Sequence, residues 1–254
     1  MEKEQYQLLY DLELTHWWYV GMRKVLHSLL SFLPSGLRVL DAGCGTGGTS
    51  ASLAKFGSVY GIDFSPDAVQ LCVRRPSVKV VRGSITHLPF QSGSFDLVTS
   101  LDVLYHRGVQ DDELALAEFF RVLRPGGWLA VRVPAFEFLS GGHDEAVHTR
   151  HRYTAPELRD KVAVVGFSVA RITYANTFLL PLAVLSRRLR RGSDFEAEPW
   201  WLNQFLLAFL SVESMLVRRW SLPFGVSVLA LASKPSTEAA LAGRGFSPYN
   251  IPAE

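Results

Sequence analysis

The sequence predicts an α/β protein built on a mostly parallel sheet with helices on both faces. Three observations predict it. From Leu37 onward, short apolar runs of strand length alternate with amphipathic stretches of helix length. A glycine-rich turn stands between the first of these runs and the helix after it. The 254 residues, 48% hydrophobic and 20% charged, carry enough apolar material for one large core and argue against extensive disorder. The expected layout is an N-terminal helix in 1–36, an α/β core in 37–175, a helical insertion in 176–222, a last strand in 223–235 and a loose tail in 236–254.

Leu8 to Leu33 reads as one helix with the aromatic cluster His16-Trp17-Trp18-Tyr19 in its middle, stopped by Pro34-Ser35-Gly36. Leu37–Leu40 is the first strand and Thr46–Phe56 the helix beyond the glycine turn. Val59–Ile62 is the second strand. Ser65-Pro66-Asp67 then opens a helix with an N-cap serine and a first-turn proline. Val78–Val81 and Phe95–Thr99 are further strands. Asp111–Leu123 is a helix closed by Arg124-Pro125-Gly126-Gly127, and Trp128–Val133 is a fifth strand. Thr154 with Glu157 three residues on forms a capping box for a helix to Val164. Phe167–Thr173 and Gly225–Ala232 complete seven strands.

A net charge of +2 is too small to imply a nucleic-acid-binding surface. Both cysteines, Cys44 and Cys72, read as thiols, because a disulfide at Cys44 would obstruct the glycine turn. The acidic N-terminus lacks the apolar core of a secretory signal. Thr177–Leu185 is too short to span a bilayer, and Leu202–Val217 contains Asn203, Gln204 and Glu213. A cytoplasmic protein with no transmembrane segment is therefore expected.

The turn Asp41-Ala-Gly-Cys-Gly-Thr-Gly-Gly48 lets backbone amides approach a ligand and points the next helix's positive end toward it. Asp63, closing the second strand, is placed to accept from both hydroxyls of a ribose. Gly43, Gly45 and Gly48 also satisfy the G-x-G-x-x-G pattern of dinucleotide binders, which leaves a nicotinamide-dependent oxidoreductase open. Asp41 tips the balance, since an acid there can accept from a ligand ammonium but repels a pyrophosphate.

Gly83-Ser-Ile-Thr-His-Leu-Pro-Phe90 after the third strand and Arg121-Val-Leu-Arg-Pro-Gly-Gly127 before the fifth complete an ordered set of motifs. With D-x-G-C-G-T-G, L-P-F and L-R-P-G-G, the chain resembles the class I S-adenosylmethionine-dependent methyltransferases, in particular the small-molecule, UbiE-like type 11 group. The resemblance is strong over about residues 37–134. It implies a Rossmann-like, seven-stranded, mostly parallel sheet with an antiparallel last strand, and S-adenosyl-L-methionine as cofactor, leaving S-adenosyl-L-homocysteine. It further implies that Asp41, Gly43, Cys44 and Gly45 line the methionine portion, that Asp63 and Phe64 hold ribose and adenine, and that Ser84 and Ile85 meet the adenine edge. Many relatives carry aspartate where this chain has Ser84. Leu101, at the end of the fourth strand, is counted with the cofactor-binding set.

The segment Ser100-Leu-Asp-Val-Leu-Tyr-His106 leaves the fourth strand where open α/β sheets hold ligands. Asp102 and His106, four apart, share one face if the segment turns helically, and His106 is then a candidate base oriented by an acid. The segment resembles the E-V-L-E-H stretch of quinone O-methyltransferases, with Tyr105 in place of the second acid. Gly141-Gly-His-Asp-Glu-Ala-Val-His-Thr-Arg-His-Arg-Tyr153 is a second polar loop. Its His143 and His148 are candidate general bases, while Arg150, Arg152 and Tyr153 are candidate acceptor contacts beside Asp102, Tyr105 and Trp17. The His-Asp-x-x-x-His spacing is not diagnostic of a metal, and none is expected.

The outer motifs H-W-W-x-x-G-x-R at His16–Arg23 and L-P-F-G-V-S at Leu222–Ser227 resemble a bacterial methyltransferase subgroup associated with glycan or specialised-metabolite pathways. That likeness makes the N-terminal helix a lid, with Trp17, Trp18 and Tyr19 closing over the cofactor and Arg23 meeting its carboxylate; a helix packed on the sheet is the competing reading. The Leu-, Phe- and Arg-rich insertion is expected to cover the acceptor or form a dimer face, with peripheral lipid contact as the alternative. The expected activity is methyl transfer to a small-molecule hydroxyl in a biosynthetic pathway. The alternatives are transfer to N or C of a lipid- or sugar-linked metabolite, or a non-catalytic S-adenosylmethionine-binding protein. A monomer or homodimer without nucleic acid is expected.

Overall fold

Strand β1 (Leu37–Ala42) lies in the interior of the sheet and buries Leu37, Val39, Leu40 and Ala42, the near-continuous apolar run of a strand covered on both faces. The computed structural model describes residues 3–141, 144, 148–181, 184 and 199–236. In them β1 is followed by β2 (Gly57–Asp63), β3 (Val78–Arg82), β4 (Phe95–Leu101), β5 (Leu123–Pro134), β6 (Ser168–Ala175) and β7 (Ser227–Ser233). The order across the sheet is β3-β2-β1-β4-β5-β7-β6. β7 runs antiparallel to both β5 and β6, and the other pairings are parallel, as the motifs implied. The chain order reverses between β1 and β4, and ligands of open α/β sheets bind beyond the carboxyl ends at that switch point.

Helix α1 (Lys3–Leu12) is followed by α2 (Trp17–Leu29), α3 (Gly48–Leu53), α4 (Pro66–Cys72), α5 (Asp112–Val122), α6 (Ala155–Val164) and α7 (Trp200–Arg219). The caps expected of α4 and α6 form. The Ser65 hydroxyl accepts from the Ala68 amide, and Thr154 and Glu157 bond reciprocally.

The single helix expected over Leu8–Leu33 is instead two, broken at 13–16. His16 is extended there and its ring accepts the Trp18 amide, capping α2. Helix α2 buries Met22, Val25, Leu26 and Leu29; Leu26 joins one apolar cluster with Val39, Leu97 and Leu231 of the sheet, and Met22 and Val25 join another with Val217 of α7. The competing reading of this helix, packing on the sheet, therefore describes most of its length.

Helix α7 lies in the segment expected as an insertion and buries Leu206, Leu210, Glu213, Ser214 and Val217. It is the one helix among the described residues long and apolar enough to cross a membrane by length and composition. Glu213 is nevertheless fully buried and accepts the amides of Asn176, Thr177 and Phe178, which ties α7 to the end of β6. The two cysteines are free and buried, with sulfurs 4.0 Å apart, about twice a disulfide bond.

Candidate active site

β1 ends in the glycine turn, and the backbone there takes conformations that side chains resist. Gly43 sits at φ +88, and a Cβ on it would lie 2.2 Å from Val103. Gly45 sits at φ +55 with nothing within 4 Å of where its Cβ would be, so one side of the turn faces open space that a ligand can fill. The Gly45 amide donates to Asp63 Oδ2 at 2.9 Å, and the Ser65 amide donates to Oδ1 at 2.9 Å. A carboxylate has about four acceptor positions, so Asp63 keeps acceptor capacity for a further donor. Burial raises the Asp63 pKa, and the backbone amides of Ser65, Gly45 and Phe64 oppose that rise.

Phe64 follows with 73% of its surface exposed, its ring approached by Arg82. Ser84 spends its hydroxyl on Thr86, and Ile85 is buried in the main core cluster rather than at an open edge. Cys44 is buried against Cys72, which together with desolvation pushes its thiol pKa up and keeps it a thiol.

Asp41 is sealed beneath the turn. Its oxygens accept the hydroxyls of Ser50 and Thr99 at 2.5 and 2.7 Å, and burial raises its pKa. The expected reach from Asp41 to a ligand ammonium is thus replaced in the structure by two internal hydroxyl contacts that anchor the turn.

The start of α3, expected to point at the ligand, is taken by Glu13 from the break between α1 and α2. The Gly48 amide donates to Glu13 Oε2 at 3.0 Å, and Arg75 meets Oε1 at 2.8 Å. Arg75 also stacks on Tyr10, 3.9 Å from the ring centre. Arg23 donates to the Glu13 carbonyl through Nη1, so this guanidinium, expected to meet the cofactor carboxylate, also ties the two helices together. Tyr6 of α1 hydrogen-bonds Ser65 and feels the charge of Asp63. Helix α1 consequently lies over α4 beside Asp63, and α1 rather than α2 straps this side of the candidate site.

Beyond β4, Asp102 adopts φ +60 and pairs with Arg132 of β5, whose Nε donates at 2.9 Å. Trp18 covers the Arg132 guanidinium at 4.9 Å. Tyr19 and Tyr105 both lie within the field of this pair, and burial first, then the Asp102 charge, keeps both phenols protonated. Leu101 is half-buried against the cluster under α2, and the Trp17 amide donates to Asn203 Oδ1 of α7 at 2.7 Å.

The positive φ at Asp102 removes the helical turn expected to bring Asp102 and His106 together. His106 Nδ1 accepts the Gly108 amide at 2.9 Å, and its ring stands edge-on to His148 at 5.7 Å. With Nδ1 used as an acceptor, neutral His106 carries its proton on Nε2 and is a donor there, which weakens its candidacy as a base. Burial lowers its pKa, so the neutral form prevails near pH 7.

The polar loop pairs with this segment. The Arg107 amide donates to the His148 carbonyl and the Arg150 amide to that of Tyr105, placing His148, at φ +54, beside His106. Three residues expected to touch the acceptor are committed elsewhere. Arg152 is 3% exposed and gives its donors to Asp144 and the Ala135 carbonyl. Tyr153 is fully buried and donates to Asp112 at 2.7 Å. Arg150 donates to the Gln110 carbonyl and approaches Asp112 at 3.8 Å. His143 lies outside the described residues. Among the described residues, no group of three or more His, Cys, Asp or Glu is placed to hold a metal ion.

Residues 40–131 match the family described as "Methyltransferase domain". A demethylmenaquinone methyltransferase of Beutenbergia cavernae is 35% identical over 216 residues, covering 83% of this chain and 79% of its own. The chain belongs to the class I S-adenosylmethionine-dependent methyltransferases. This methyltransferase is also 37% identical over 164 residues to an uncharacterized 37.1 kDa protein in transposon TN4556 of Streptomyces fradiae, covering 59% of the present chain but only 45% of that one. Its fold matches phosphoethanolamine N-methyltransferase 2 of Haemonchus contortus, solved with S-adenosyl-L-methionine, at TM-score 0.57 and 22% identity over 84% of this chain and 52% of that one.

Sequence reasoning missed Glu13, Arg75 and Arg132. Arg132 was findable as the one charge inside the apolar run Trp128–Val133. Glu13 and Arg75 carry no local signal, because 62 residues separate them.

Proposed function

We propose that this methyltransferase binds S-adenosyl-L-methionine across the Gly43–Gly47 turn and methylates a hydroxyl of a small molecule held beyond the carboxyl ends of β4 and β5. The observation that carries the cofactor half is Asp63, fixed by the Gly45 and Ser65 amides with acceptor capacity to spare, next to the open side of Gly45. The residues fit the group: Asp63 for the ribose, the exposed Phe64 ring for the adenine, and Tyr19 and Arg23 near the methionine end. When bound, S-adenosyl-L-methionine supplies an electrophilic methyl carbon on a sulfonium.

The acceptor half rests on the Asp102–Arg132 pair with Tyr19 and Tyr105 around it. Two phenols held protonated donate hydrogen bonds to an acceptor oxygen and fix its direction of attack, and positioning of this kind supplies much of the rate in an in-line transfer. His148 is the described base candidate, since its neighbour His106 is a donor at Nε2. A second reading, transfer to carbon of a flat aromatic acceptor, is favoured by the stacked rings of Phe138, Phe136 and Tyr174 around the carboxyl ends of β5 and β6, of which Phe138 is exposed. The Beutenbergia relative named for demethylmenaquinone agrees with it.

Labelled-methyl transfer to a panel of hydroxylated and quinol-type acceptors, with calorimetric binding of S-adenosylhomocysteine, tests both halves. Tight binding with label recovered as an ether supports the first reading, and label on carbon supports the second. Failure to bind S-adenosylhomocysteine overturns the whole assignment.

A further inference from the structure

We infer that the outward face of α7 docks this protein on an anionic lipid bilayer. The helix is two-faced in an unusual sense. Leu206, Leu210, Glu213, Ser214 and Val217 face the fold, and the opposite side exposes Trp200, Trp201, Phe205, Phe209, Val212 and Met215, with Trp201 at 65% and Met215 at 70%. A water-facing helix carries polar side chains there, and a large exposed apolar patch marks an interaction surface.

Charge identifies the occupant. Glu213 is the sole acid on α7 and is fully buried, and α2 beside it has no acid at all. Exposed cations flank the apolar stripe: Arg218 and Arg219 at the C-terminal end, and Lys24 of α2, whose Nζ donates to Ser211 at 2.8 Å. Tryptophans stand at both ends, Trp200 and Trp201 at the start and Trp220 just past the finish, which suits the headgroup level of a bilayer. An apolar stripe with basic and aromatic borders fits a helix lying in the plane of an anionic membrane surface.

Spanning is excluded by packing. The buried face of α7 is fixed to α2, and Glu213 is held by the Asn176–Phe178 amides. Because Asn203 of α7 accepts the Trp17 amide, docking sets the first turn of α2, with Trp18 and Tyr19, close to the lipid surface. The inference is independent of the atom methylated.

Co-sedimentation of the full chain with phosphatidylcholine vesicles, with and without about one-third phosphatidylglycerol, tests it. Binding to the anionic vesicles, reversed by high salt, is expected. Trp201→Glu, and separately Arg218→Glu with Arg219→Glu, should weaken it by at least about tenfold while leaving melting temperature and S-adenosylhomocysteine affinity unchanged. No binding to anionic vesicles at low salt overturns the inference, as does binding that ignores these substitutions. A wild-type dimer in analytical ultracentrifugation that Trp201→Glu turns into a monomer assigns the face to a second copy and also overturns it.

Discussion

Glu13, in the break between the first two helices, meets Arg75 at 2.8 Å while its other oxygen accepts the Gly48 amide at the start of α3. Both side chains are largely buried, so removing one partner leaves the other charged and unpaired. Arg75→Ala should cost about 2–4 kcal/mol near neutral pH, a fall of roughly 5–10 °C in melting temperature. Burial already raises the Glu13 pKa, with Arg75 opposing that rise, so the variant raises it further. A group whose folded pKa is raised contributes stability below its unfolded value and loses it as pH climbs through the folded one. The deficit of Arg75→Ala should therefore be largest at neutral and alkaline pH and shrink on acidification. A deficit that grows in acid contradicts the buried pair.

The same contact explains why the N-terminal break was illegible. Asp11-Leu-Glu-Leu-Thr15 holds no glycine or proline, and the helix yields there to a partner 62 residues away. Caps are a different case. Ser65-Pro66 and Thr154 with Glu157 were readable because donor and acceptor lie within three residues of each other. The polar loop misled for the opposite reason, since Arg152 and Tyr153 have the residue types of a binding site but spend them on Asp144 and Asp112. The alternation and number of the strands were legible through the motifs, since the glycine turn follows β1, Gly83–Phe90 follows β3 and Arg121–Gly127 leads into β5.

Asp63→Ala should weaken S-adenosylhomocysteine binding by at least about tenfold in calorimetry, since charge-assisted hydrogen bonds are worth roughly 1.5–3 kcal/mol each. The Gly45 and Ser65 amides also lose their acceptor, so the turn loosens. Asp63→Asn keeps one carbonyl oxygen and should fall between wild type and alanine. Unchanged affinity in both variants refutes the ribose role.

Asp144→Asn separates a structural loop contact from an acceptor contact. Burial alone would raise the Asp144 pKa, but the hydrogen bonds and charge of Arg152 outweigh it and hold the carboxyl low. Stability from such a group is present above its unfolded pKa, about 3.9, and is lost as pH falls through the folded value. The variant should lose about 2–3 kcal/mol at neutral pH, and the gap to wild type should close in strong acid. Melting curves across pH check this, and a gap independent of pH counts against the pair.

Gly43 and Gly45 both sit at positive φ but predict different failures. A methyl group at Gly43 would collide with Val103 at 2.2 Å, whereas at Gly45 it would enter open space beside Asp63. Gly45→Ala pays only the left-handed backbone cost of about 1–2 kcal/mol, so it should stay folded. Gly43→Ala adds a clash to that cost and should melt well below it. If the open side of Gly45 is where the cofactor lies, Gly45→Ala should lose S-adenosylhomocysteine affinity by at least about tenfold, because roughly 1.4 kcal/mol of steric conflict suffices for that. Circular dichroism and calorimetry on the two variants decide the matter. A folded Gly45→Ala protein that binds as tightly as wild type moves the ligand off this side of the turn.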